Sequence, residues 1–171
     1  MVPRNGSLVA AVDPGKFLAG VALHRVGTTS WWAGVVRSRQ EGPRRWAELA
    51  WGVQDWILKR CQGPPQILVV ERMQVYARDG SSKAEDLLDL QAVAGAVVGV
   101  ASKWTPLEEI LTPLPLEWKG QVPRDVTANR ELSRQEIREA VARGDVVLPA
   151  SKKEQGDVGA ALGLIRWRLS S

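Results

Sequence analysis

An acid at the end of a buried apolar run costs stability unless it is paired or bound to a cation. Asp13 directly follows the run Leu8-Val9-Ala10-Ala11-Val12, and Glu71 directly follows Ile67-Leu68-Val69-Val70. Asp157 stands near the start of the last apolar-periodic segment, with Glu154 three residues before it. At helical spacing those two share a face. Taken singly, Asp13 or Glu71 reads more readily as a loop residue or a helix cap. As a set, carboxylates of this kind suit a hard cation, Mg2+ with Mn2+ as a substitute. Two such ions about 3.5–4 Å apart clamp a phosphodiester for in-line attack.

Competing chemistries find little support. The chain has one histidine and one cysteine, too few for a zinc site. It carries no Walker or dinucleotide glycine pattern. A Ser–His–Asp triad would have to use His24, which lies mid-strand without a distinctive setting.

The elements that must position these acids follow from periodicity and turn chemistry. The run 8–12 ends at Asp13-Pro14-Gly15, where proline and glycine force a turn. Segments 17–25 and 31–36 read as two more strands around the Gly27-Thr28-Thr29-Ser30 turn, which gives an antiparallel meander. Segment 43–60 has helical spacing, with Trp46, Leu49, Val53, Trp56 and Ile57 on one face. The continuous run 67–70 suits a strand buried on both faces. A second helix is expected over 82–102, acidic at its start and then small and apolar all round. Such a helix needs cover on more than one side, from the closing helix or from a partner subunit.

Ile110-Leu111-Thr112 reads as a short strand, and Pro113, Pro115 and Pro123 make the next segment irregular. A helix over 133–143 is expected to open on a Ser133–Glu136 capping box. The closing helix is expected over about 151–168, with Val158, Ala161, Leu162, Ile165 and, at its very end, Leu169 as its apolar positions. Most of the eight tryptophans fall at core positions. The order predicts an α/β domain with a five-stranded mixed sheet, an antiparallel meander plus parallel strands, flanked by helices.

The bulk properties agree. A length of 171 residues is about one domain, taken as 1–171. Hydrophobic residues make up 44% and charged residues 25%, as in a soluble globular protein. The single Cys61 excludes an intrachain disulfide and fits a reducing cytosol. The N-terminus lacks the apolar run of a signal peptide. The longest apolar stretch, 90–101, is too short to cross a bilayer, so no membrane is expected. The net charge of +4 permits a polyanionic partner without demanding one. Much of the excess is local: Arg37, Arg39, Arg44 and Arg45 lie close together beside the single acid Glu41.

Motif order adds a family resemblance. Ala11-Val12-Asp13-Pro14-Gly15-Lys16, followed by Ala19-Gly20-Val21-Ala22, resembles the opening strand-turn-strand of the RuvC Holliday-junction resolvases. In that family an Asp-Pro-Gly turn carries the first metal-binding carboxylate. Ile67-Leu68-Val69-Val70-Glu71 resembles its fourth strand, which ends in the second. Glu154-Gln155-Gly156-Asp157-Val158-Gly159-Ala160-Ala161-Leu162 resembles its closing helix, where two metal-binding residues sit three apart. Trp118-Lys119-Gly120-Gln121-Val122 resembles the Lys-x-Gln-Val segment that carries a catalytic lysine. The resemblance covers most of the chain, from Leu8 to Trp167. It is closer to phage-encoded members than to the bacterial housekeeping enzyme, on the cues Gln74-Val75-Tyr76 and the Trp118–Pro123 run. Two positions depart from the pattern. Glu154 stands where aspartate or histidine is usual, and Gln74 stands where an aromatic wedges into the junction, with Tyr76 the nearest substitute.

The resemblance implies an RNase H-like fold and a metal-dependent endonuclease that resolves four-way or branched DNA as a homodimer, in the bacterial or phage-host cytosol. Asp13, Glu71 and Asp157 would hold Mg2+, with Glu154 as an auxiliary ligand and Lys119 neutralising the scissile phosphate. Arg37, Arg39, Arg44, Arg45, Arg72, Tyr76, Arg78, Lys83, Lys152 and Lys153 are the candidate DNA contacts. Two rivals remain open at this point: another RNase H-like nuclease acting on RNA, hybrid or other branched DNA, and a junction-binding module without catalysis.

Overall fold

The computed structural model describes residues 3–61, 63–73, 84–105 and 107–171. Among these residues five strands form one sheet: β1 (Leu8–Pro14), β2 (Leu18–Arg25), β3 (Trp31–Arg37), β4 (Ile67–Val70) and β5 (Glu109–Leu111), in the order β3-β2-β1-β4-β5. The meander β1-β2-β3 is antiparallel, and β4 and β5 run parallel to β1. The expected mixed sheet is present. Six helices accompany it among the described residues: α1 (Gly42–Arg60), α2 (Ala84–Ala101), α3 (Pro115–Lys119), α4 (Arg124–Leu132), α5 (Gln135–Arg143) and α6 (Lys152–Ser170).

Strand alternation builds a core on each face of the sheet. Leu8, Ala10 and Val12 of β1, with Leu68 and Val70 of β4, face α1 and α2. Val9 and Ala11, with Ile67 and Val69, face α5 and α6. Asp13 continues the parity of Val9 and Ala11, and Glu71 continues that of Ile67 and Val69. The sheet's pleat therefore aims both acids at the layer that holds α6.

Several expectations are corrected. The proline-rich segment after β5 is helical: Pro115 opens α3, and Pro123 is the N-cap of α4. Proline is tolerated in a helix's first turn, where its missing N–H would have had no partner. The Ser133–Glu136 capping box does not form. Arg134 is the N-cap of α5, the Ser133 hydroxyl donates to the Arg130 carbonyl, and the Glu136 carboxylate accepts from Arg166. The second cover for α2 is α1; α6 packs on the opposite face of the sheet. Leu88 of α2 is 70% exposed. Trp31 is buried, most other tryptophans are half-buried, and Trp51 is exposed. No helix among the described residues is long and apolar enough to cross a membrane.

Candidate active site

The register of the central strands sets two of the acids side by side. Val12 pairs with Val70 in the parallel ladder, and the Glu71 N–H donates to the Val12 carbonyl at 3.0 Å. Asp13 and Glu71 therefore leave neighbouring strands at the same end. Asp13 is also opposite Gly20 in the antiparallel pair. A Cβ on Gly20 would lie 2.1 Å from the Asp157 carbonyl oxygen. Glycine at that position lets α6 descend onto β2, which brings Asp157 beside Asp13. On the outer side of α6, a Cβ on Gly159 would meet Ala128 of α4, and one on Gly163 would meet Trp118 of α3. Both short helices are thus drawn in against α6 by the same device.

Asp13, Glu71, Glu154, Asp157 and Lys119 line one cavity of about 510 Å³, together with Arg124. Asp13, Glu71 and Asp157 are buried. Burial, foremost, pushes the Asp13 carboxyl well above the ordinary aspartate range; the guanidinium of Arg124 opposes the shift, and the charge and hydrogen bond of Glu71 add to it. Asp157 is raised to about 6, first by burial and then by the Asp13 charge, with Arg124 and Lys153 opposing. Three carboxyl groups crowd one another away from water, and a cation is the group that relieves them.

Arg124 supplies such a cation. Its guanidinium donates through Nη2 to Asp13 Oδ2 and to Asp157 Oδ1. Its side chain is still 46% exposed. Glu154 is engaged separately: Arg37 grips its carboxylate through Nε at 3.3 Å and Nη2 at 3.0 Å. Among the described residues, no three metal-ligating side chains converge on a single ion position; Arg124 bridges Asp13 and Asp157, and Arg37 holds Glu154. The donor chemistry nonetheless fits a hard divalent cation. The donors are all oxygen and anionic, they are mostly buried, and the fold already fills their midst with positive charge.

Glu71 has a neutral partner. The Trp118 indole Nε1–H donates to its Oε1 at 3.0 Å. Lys119, the next residue, lies 5.5 Å from the Trp118 ring centroid and faces the cavity.

The candidate DNA contacts divide. Arg39, Arg44, Arg72, Lys152 and Lys153 are exposed. Arg37 is exposed but tied to Glu154. Arg45 is a correction: its side chain is only 5% exposed and is paired with Asp89 at 2.6 Å, so it is a buried structural cation. It shares the inner face of α1 with Leu49, Val53 and Ile57, at successive i, i+4 positions. Tyr76, Arg78 and Lys83 lie outside the described residues.

Sequence reasoning missed Arg124 and Trp118 as members of the site. The one available signal was their place beside Lys119, in a segment that already pointed at the acids.

The chain matches no protein-family model and no curated protein. Solved structures do match. RuvC of Thermus thermophilus in complex with a Holliday junction substrate superposes with a TM-score of 0.56 at 21% identity, covering 92% of this chain and 90% of that one. A second Thermus thermophilus RuvC structure gives 0.57 at 20% identity, with the same coverage. The fold is RuvC-like. The yeast mitochondrial Holliday junction resolvase Ydc2 shares it at a TM-score of 0.55 and 13% identity, over 98% of this chain and 81% of that one.

Proposed function

We propose that this protein is a divalent-metal-dependent endonuclease that resolves four-way DNA junctions. The observation that carries the reading is the convergence of Asp13, Glu71 and Asp157, from β1, β4 and α6, on one cavity that also holds Lys119 and Arg124. The RuvC-like fold supports it, because two of the solved structures that share the fold are described as a junction complex and a junction resolvase.

Asp13, Glu71 and Asp157 would hold the metal, Mg2+ or Mn2+, with Glu154 as an auxiliary ligand at the rim. The bound ions would stabilise charge on both the attacking and the leaving oxygens of the phosphodiester. The chain's own groups do the rest. Trp118 keeps the Glu71 carboxylate oriented without adding a proton that could titrate. Lys119 aims a positive charge into the cavity, where charge on the phosphate grows in the transition state. Arg124 neutralises Asp13 and Asp157 until a metal takes that role. Exposed Arg39, Arg44, Arg72, Lys152 and Lys153 would contact phosphates and position the strand without reading sequence.

The reading includes a homodimer. A four-way junction has two-fold symmetry and needs paired nicks on opposed strands, which two equivalent sites provide. The outer face of α2, with Leu88, Gly95 and Gly99 exposed, supports it as part of the contact. The phage relationship and a cytoplasmic site of action belong to the same reading.

Cleavage of matched four-way, flap, duplex and RNA–DNA hybrid substrates with Mg2+ tests the proposal. Preferred, symmetric cutting of the four-way junction is the expected result. Preferred cutting of hybrid or flap would reassign the substrate, and binding without cutting would leave a junction-binding module.

A further inference from the structure

Phe17, the only phenylalanine in the chain, is 50% exposed at the turn between β1 and β2. An apolar ring left half in water is unremarkable when it stands on a mobile loop. This one is held firmly. Its carbonyl accepts from the Ser38 N–H at 2.9 Å, which ties the turn to the end of β3. The turn itself is tight: a Cβ on Gly15 would lie 2.4 Å from the Leu18 carbonyl oxygen.

The ring is also supported by charge. The Arg45 guanidinium lies over it, 4.7 Å from the centroid, and the Lys16 ammonium stands 5.9 Å away. Both distances are within the range in which a cation is drawn to a π face. Each cation is paired with an acid of α2. Arg45 is buried and paired with Asp89 at 2.6 Å, and Lys16 is paired with Asp86 at 2.6 Å. A ring backed by a buried cation presents its remaining surface outward. Phe17 lines the cavity that holds Asp13, Glu71 and Lys119.

We propose that Phe17 is a stacking platform for a nucleobase next to the scissile phosphate. The inference rests on the nuclease reading of the cavity and extends it to a base-binding subsite. The occupant follows from the neighbours. A phosphodiester seated against the acids and Lys119 brings its own nucleosides within reach, and the flat apolar part of a nucleoside is the base. Stacking on an aromatic ring tolerates any base, since every base has a π face. In continuous duplex those faces are covered by neighbouring bases. Where a crossover is opened and its arms unstack, a face comes free, so an aromatic ring at the cavity wall favours branched DNA over duplex.

The test uses the full-length protein and synthetic four-way junctions carrying 2-aminopurine at successive positions around the crossover, in EDTA. Wild type is expected to quench the probe at a position adjoining the cut site. Phe17→Ala and Phe17→Leu are expected to lose that quench and about tenfold in junction affinity, with duplex affinity unchanged; Phe17→Trp is expected to restore both. Rescue by leucine would show mere apolar packing and overturn the platform, as would an unchanged quench in Phe17→Ala. A wild type that binds junctions no better than duplex in EDTA, and that cuts neither when Mg2+ is supplied in a parallel reaction, would instead overturn the nuclease reading, and the platform with it.

Discussion

The indole Nε1–H of Trp118 donates to Glu71 Oε1 at 3.0 Å. The bond joins a short helix to the end of a central strand, and Gly163 makes room for the indole against α6. Groups that orient a metal-binding carboxylate are costly to remove, by about 10–100-fold in metal affinity or activity. Trp118→Phe keeps most of the ring and deletes the donor. Metal titration and single-turnover cleavage should both fall by that order, with little change in melting temperature. A variant with wild-type metal affinity and rate would reduce Trp118 to a packing residue.

Arg124→Gln removes the cation that sits between Asp13 and Asp157. Half of the Arg124 side chain is in water, so screening limits the cost to about 1 kcal/mol. For a chain of this size that lowers the metal-free melting temperature by about 2–4 °C. Added Mg2+ should then raise the melting temperature more than it does in wild type, because no guanidinium has to be displaced. Scanning calorimetry with and without Mg2+ checks this. An equal Mg2+ shift in both proteins would mean that Arg124 does not occupy the ion's place.

Much of this site was legible from local pattern. An apolar run that stops at an acid, twice, gives two strand ends, and the i, i+3 spacing of Glu154 and Asp157 gives one helix face. Strand parity then turns Asp13 and Glu71 toward α6. What stayed hidden depends on distant parts of the chain meeting. Arg124 is 111 residues from Asp13, and Arg37 is 117 from Glu154; no periodicity announces such pairs. Arg45 was misread for another reason. Its charge suggested DNA, whereas its spacing from Leu49, Val53 and Ile57 already placed it on the buried face of α1. Pro115 and Pro123 suggest an irregular segment on sequence alone because the same residue both stops and starts helices.

The raised carboxyls predict a pH dependence whose sign can be worked out. Asp157 titrates at about 6 in the fold, and Asp13 also lies above the ordinary aspartate value. Between the ordinary value and the folded one, the native state binds more protons than the unfolded state. Stability from these groups is therefore lost as pH rises through that window. Metal binds the deprotonated form, so Mg2+ should stabilise the protein more at about pH 7.5 than at about pH 5. In metal-free protein, Asp157→Asn should gain on wild type as pH rises between those values. Melting curves of both proteins across the window check it. A difference independent of pH would contradict the Asp157 assignment.

Lys119→Ala should slow cleavage of bound junction more than it weakens binding. A charge aimed at the transition state appears mainly in the rate. Single-turnover rates at saturating protein, set beside equilibrium binding, separate the two effects. A full loss in affinity with an unchanged bound-state rate would make Lys119 a docking residue.

The central claim is that Asp13 and Glu71 hold a catalytic metal for junction cutting. Its most direct test is single-turnover cleavage of a labelled synthetic four-way junction, with Mg2+ or Mn2+, by wild type, Asp13→Asn and Glu71→Gln. An amide is nearly isosteric with a carboxylate but a far poorer ligand for a hard cation. The account predicts paired, metal-dependent nicks by wild type, and folded variants that bind the junction without cutting it. Cutting by both variants at near wild-type rates, or metal-independent cutting by wild type, would contradict it.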